Sequence, residues 1–201
     1  MATLAIAMLI AFGVVTFFGR IAIQIRRTGE TGLIGLRPGA GLVDWVSGIL
    51  FIGGMAMAVT SVVLVRQDSL EPLDALDVGV LHAIGIALAT AGGLAVFGAQ
   101  VGMGESWRIG VSDDQGTDLV TGGWFSFCRN PIYTAMIVGW TGFALIVPTW
   151  LGFAAVPVVA LGLELQVRAV EEPYLIRTHG GTYRAYASRV GRFVPGIGRL
   201  G

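Results

Sequence analysis

Apolar positions along the chain gather into long runs with short polar stretches between them. A helix crossing a bilayer needs about 20 such residues. Five runs meet or approach that length: about Thr3 to Ile25, Leu42 to Val65, Val78 to Val101, Ile132 to Val147 and Trp150 to Val167. The fourth is short and ends at Pro148. Only "PTW" parts it from the fifth, which predicts a tight helical hairpin. The pattern therefore predicts an all-α integral membrane protein of about five transmembrane helices.

The polar stretches carry an orientation. Arg26, Arg27 and Arg37 follow the first run, and Arg108 and Arg129 follow the third. Arg177, Arg184, Arg189, Arg192 and Arg199 follow the fifth. The stretch after the second run sets Arg66 against Asp68, Glu71, Asp74 and Asp77. Arginine collects on the cytoplasmic side of membranes, so the N-terminus is expected outside, with the 104–130 loop and the C-terminal tail in the cytoplasm. A bacterial inner membrane suits this arrangement. The first run has no basic residues ahead of it and is too long for a cleaved signal, so it is expected to stay as a span.

Composition agrees. The 201 residues are 54% hydrophobic and 13% charged, about half the charge of an ordinary soluble domain at roughly 25%. The length fits one membrane domain, 1–201, with three helices in 1–101 and the chemistry in 102–201. The formal net charge is zero, which gives no footing for nucleic acid. Cys128 is the single cysteine, and His82 and His179 lie far apart, so neither a disulfide nor a metal site is expected. Gly85, Ala89 and Gly93 form a small-residue seam suited to close helix packing.

Two polar stretches are expected to face the same compartment. In "FCRNPIY", Asn130 suits an N-cap and Pro131 the first helical position, so the first free N–H groups of the fourth helix point at the loop. Such an end suits a carboxylate or polar ligand, although a capped helix beside a snorkelling arginine also explains the motif. In "LELQVRAVEEPY", Glu164, Arg168 and Glu172 follow one another at i, i+4, placing Arg168 between two carboxylates on one face. Charges at such depth mark a pathway or a site by default, and a salt-bridged helix end is the plain alternative. Pro173 is expected to break the helix. Beyond it, Tyr174, Tyr183, Tyr186 and Phe193 alternate with arginines, as in an amphipathic segment that lies on the membrane or folds over the site. The hairpin brings Arg129–Tyr133 and Arg168–Glu172 together at one pocket.

The run "TDLVTGGWFSFCRNPIY", an apolar hairpin and then "RAVEEPYL…HGGTYRAYASRVGRFVP" resemble the isoprenylcysteine carboxyl methyltransferase and phospholipid N-methyltransferase superfamily over roughly residues 100 to 195. These are integral membrane enzymes that use S-adenosylmethionine and release S-adenosylhomocysteine. The resemblance implies that Thr117, Asp118, Leu119 and Val120 line the cofactor through backbone groups, with Phe125 where relatives often carry a tyrosine. It implies a cofactor wall of Asn130, Pro131, Ile132 and Tyr133, with Glu172 taking a polar part such as the ammonium. Arg168 would face the substrate, and Arg108 and Arg129 would join the pocket. Asn130 stands where the carboxyl-methylating branch usually has histidine.

The implied partners are a lipophilic or lipid acceptor and the membrane itself, with no metal. Methyl transfer from a sulfonium mainly requires alignment. Arg168 would orient an anionic acceptor, whereas an amine acceptor would need a base, for which Glu164 or Glu171 is available. Two other readings stand beside this one: a sterol-reductase-like enzyme using NADPH, against which the acid-rich "SDDQGTD" and Glu171–Glu172 argue, and a non-catalytic membrane scaffold.

Overall fold

The computed structural model describes residues 1–35, 40–110 and 118–201. Its first helix, α1, runs over Ala2–Thr28, with a π-helical stretch at Val14–Gly19, and stops at Gly29, whose φ of 79° suits glycine. α2 spans Leu42–Arg66 and α3 spans Gly79–Gly102. α4 covers Pro131–Ile146 and α5 covers Trp150–Gln166. A π turn, Val167–Glu171, carries α5 into α6, Glu172–Ala187. A short parallel ladder pairs β1, Leu33–Gly35, with β2, Ile109–Gly110.

Among the described residues four helices are long and apolar enough to cross a membrane: Ala2–Thr28, Leu42–Arg66, Gly79–Gly102 and the continuous Trp150–Ala187. α4 has 16 residues, which rise about 24 Å against a hydrocarbon core of about 30 Å. It is the short fourth run of the apolar pattern.

The hairpin of α4 and α5 exists, but the close packing lies elsewhere. α4 packs along α3, and α5 packs along α2. Glycine decides both seams. A Cβ at Gly85 would come within 2.7 Å of Gly142 O, and one at Gly92 within 2.7 Å of Gly139 Cα. In the other pair, a Cβ at Gly162 would come within 2.6 Å of Phe51 N. Backbones meet there directly, and dispersion takes the place of the hydrophobic effect that lipid removes. The predicted seam on α3 bends by one residue: Gly92, at the 3.6-residue period, continues it, while a Cβ at Gly93 would meet Phe12 of α1 at 3.1 Å. Polar pairs pin the second seam at both ends. Ser61 and Thr149 share a hydrogen bond of 2.5 Å, and Ser47 Oγ donates to Gln166 Oε1 at 2.9 Å. The buried core lies where the seams meet, around Ala89, Trp140, Phe143, Ile146 and Val159.

Pro173 does not break the helix. The π turn ahead of it bonds i to i+5, which accommodates the missing N–H and the ring. The chain bends instead at Gly180, where φ is 53°. C-terminal to α6, residues 191–200 fold back onto the start of α4 rather than out along the membrane.

Candidate functional site

Pro131 opens α4 and Asn130 holds the N-cap position, as the motif predicts. The Asn130 side chain, however, makes no cap bond. Its Nδ2 donates to Arg192 O at 3.1 Å, and its backbone N–H donates to the same carbonyl at 3.0 Å. Arg129 N–H donates to Gly191 O at 2.8 Å, and Thr134 Oγ1 donates to Phe193 O at 2.8 Å. The tail 191–193 is thus bound to the start of α4 residue by residue.

Arg129 is buried, with its guanidinium turned inward. Its Nη1 donates to Ala187 O and Val190 O, at 3.0 and 2.6 Å, and its Nη2 to Gly198 O at 3.0 Å. Nη2 also meets Glu172 Oε1 at 2.5 Å. Arg192 completes the group: its Nε and Nη2 donate to the two oxygens of Glu172, each at 2.9 Å. Hydrogen bonding to Glu172 raises the Arg192 guanidinium above its ordinary value. Arg192 Nη1 also lies 4.0 Å from Glu164 Oε1, and Glu164 pairs with Arg168. Five alternating charges therefore run from the protein interior to its edge: Arg129, Glu172, Arg192, Glu164, Arg168.

This corrects one expectation. The arginine between two carboxylates is Arg192, not Arg168. The π turn, Val167–Glu171, winds more residues into each turn, which takes Glu172 off the face of Arg168. Arg168 is left with a side chain 59% exposed. A second expectation narrows. Arg129 and Arg192 fill three of the roughly four acceptor positions of Glu172, so this carboxylate is chiefly an internal counter-ion. Glu171 points elsewhere and accepts from Tyr133 Oη at 2.5 Å. The starts of α4 and of α6 do converge.

The loop residues are divided. Thr117 lies outside the described residues. Asp118 is exposed, and its carbonyl accepts from Ser106 Oγ at 3.3 Å. Leu119 packs against Tyr183 and Tyr186, and Val120 is half-buried. Phe125 is buried, and its carbonyl accepts from Tyr186 Oη at 2.6 Å. Ile132 is half-buried at the first turn of α4. Arg108 reaches α6, where its Nη2 donates to Tyr174 Oη at 2.6 Å. The tyrosines after Pro173 are accordingly buried anchors, with Tyr183 2% exposed.

A cleft of about 450 Å³ opens between α4 and α5. Ile137, Pro157, Ala160, Leu161, Phe193 and the stem of Glu164 line it. It arises because α4 and α5 each pack on another partner. Arg168 adjoins the cleft through its ion pair with Glu164.

In the sequence, Arg192 stands out only as one of the tail's basic residues. The signal available was its place in "GRFVP", inside the stretch that carries the resemblance. Arg20 was missed altogether, although a lone arginine in an apolar run is itself a flag.

Part of the chain is similar to the nickel-cobalt-cadmium resistance protein NccN of Alcaligenes xylosoxydans xylosoxydans, with 32% identity over 113 residues, 56% of this chain and 52% of the relative. The chain thus spans about half the length of that relative. No solved structure matches it. The profile of the Phospholipid methyltransferase family matches residues 80–182, from the start of α3 into α6, which takes in Arg129, Glu164, Arg168 and Glu172 but not Arg192. The chain belongs to the phospholipid methyltransferase family.

Proposed function

We propose that this chain transfers a methyl group from S-adenosylmethionine to a lipophilic acceptor at the membrane surface. One observation carries the reading: Tyr133–Glu171 and Arg129–Glu172 join the first turn of α4 to the turn between α5 and α6. A polar pocket wall and an apolar cleft then share one end of the bundle.

The residues present fit the cofactor. Because the Asn130 amide turns to Arg192, the first-turn N–H groups of α4 carry no side-chain cap and are suited to a carboxylate. Arg129 and Arg192, both on Glu172, stand beside that helix start. Glu171, with acceptor positions left beyond Tyr133, is the acid for an ammonium in place of Glu172. The backbone of 118–120 and Phe125 lies beside the Tyr183–Tyr186 cluster. When bound, S-adenosylmethionine supplies a methyl group on a positively charged sulfur.

The acceptor side is the cleft. Its apolar walls suit a hydrocarbon chain, and Arg168 at its mouth orients an anionic group by paired hydrogen bonds. For an amine acceptor, Glu164 takes the proton. The basic stretches and the site share one end of the bundle, which we assign to the cytoplasm, with the N-terminus outside and a bacterial inner membrane as the setting. The resistance function in NccN's name belongs to that protein and does not identify an acceptor here.

The test is incubation of pure protein with labelled S-adenosylmethionine and host lipid extract, followed by mass spectrometry of whatever gains a methyl. Titrations with S-adenosylhomocysteine and with NADPH accompany it. Binding of NADPH alone would overturn the reading in favour of a reductase.

A further inference from the structure

Arg20 lies well inside the apolar first helix and is 0% exposed. A charge at that depth is expensive unless its hydrogen bonds are made. Its Nε donates to Gln100 O at 3.2 Å and its Nη2 to Gly104 O at 2.6 Å. Gln100 sits in the last turn of α3, where its carbonyl takes only a long bond from Met103 N–H, at 3.3 Å, and the dipole is negative. Arg20 thus caps α3 from another helix. Gln24, one turn on, donates from Nε2 to Glu105 O at 3.0 Å.

The contact extends past these two side chains. The Arg20 guanidinium lies 4.5 Å from the Trp107 ring centroid. A Cβ at Gly32 would come within 3.0 Å of that same ring, so the indole is held between α1 and the chain that follows it. Ile109 N–H donates to Gly32 O at 2.8 Å, and the β1–β2 ladder continues from there. Residues 100–110 are therefore gripped along their length by residues 20–35. That gripped segment carries Arg108, which binds Tyr174 on α6, and Ser106, which binds the Asp118 carbonyl.

We propose that Arg20, helped by Gln24, is a positioning residue. It fixes the 100–110 segment so that Arg108 and the 118–120 backbone meet the cofactor side of the site. The first helix, which lies outside the matched segment 80–182, is then a working part of the enzyme. The proposal rests on the cofactor reading above for its ligand and on the clamp geometry for its mechanism.

Two measurements on the full chain in lipid nanodiscs test it. Hydrogen exchange without ligand reads the clamp: Arg20→Met is expected to speed exchange of amides 104–110 about tenfold while α5 is unchanged, and Arg20→Lys to restore part of the protection. Titration with S-adenosylhomocysteine reads the consequence: Arg20→Met is expected to weaken binding about tenfold. Adding Arg20→Met to Arg108→Met is expected to cost less than the sum of the two, because both act through one segment. Full additivity, or unchanged exchange in Arg20→Met, overturns the proposal. If Arg20→Met does not insert, Gln24→Leu keeps the charge, removes the donor to Glu105, and is expected to loosen the same amides; no loosening overturns it equally. Wild-type protein that fails to bind S-adenosylhomocysteine sinks the cofactor reading, and exchange alone then decides the clamp.

Discussion

Arg192 grips both oxygens of Glu172, at 2.9 Å each, although 20 residues separate them. The bond closes the tail over the start of α6. With Arg129 on the same carboxylate, it makes α4, α6 and the C-terminal segment one unit.

Removing one member of this buried group strands the others. Glu172→Ala strands the buried Arg129 and leaves Arg192 only Glu164, at 4.0 Å, and the expected loss is about 3–5 kcal/mol. Thermal unfolding in detergent measures it. Arg168→Ala touches an exposed pair, which is worth at most about 1 kcal/mol, and should melt close to wild type. Equal destabilisation by the two substitutions would contradict the assignment of the interior and the edge.

Arg168→Ala should instead show itself in turnover. Its place at the mouth of the cleft predicts a fall of about 10- to 100-fold in kcat/KM for an anionic acceptor, by loss of orientation. Affinity for S-adenosylhomocysteine is expected to stay within about threefold. Calorimetric titration alongside methyl-transfer assays separates the two quantities, and parallel losses would refute this division.

Tyr133→Phe removes the hydroxyl that donates to Glu171. An acid that loses a partner in a largely dry place costs about 1–3 kcal/mol. We expect weaker S-adenosylhomocysteine binding, by about tenfold, with the fold retained. Calorimetry against a circular dichroism melt checks both parts.

The glycine seams give a sharper contrast. Gly162→Ala would drive a methyl into Phe51 N, so α2 and α5 must part. Gly53→Ala on the same α2 meets nothing within 4 Å. The first should yield little folded protein after detergent extraction. The second should match wild type, as size-exclusion chromatography of each would show.

Much of this was legible in the sequence. Five apolar runs gave the helices nearly to the residue, because lipid leaves the backbone few other options. "RNP" located the start of α4, since Pro131 is favoured at the first helical position. Other features were hidden for identifiable reasons. Spacing at i, i+4 assumed a regular α-helix, and the π turn at Val167–Glu171 put Arg192 where Arg168 was expected. The Asn130 amide chose a distant carbonyl over its own helix because the tail arrives there, which no local pattern encodes. Pairing of α3 with α4 and α2 with α5 depends on glycines matching across helices, and a single chain read in order does not show that match. Arg20 was legible and overlooked.

The two glycine seams have a mechanical consequence. Each zips its own couple of helices, α3 to α4 and α2 to α5, while the two couples meet through the side chains of the buried core. Deformation should concentrate at that joint, as in a door hung on two stiff leaves. A greasy molecule arriving sideways from the bilayer would part the leaves there without unzipping either one.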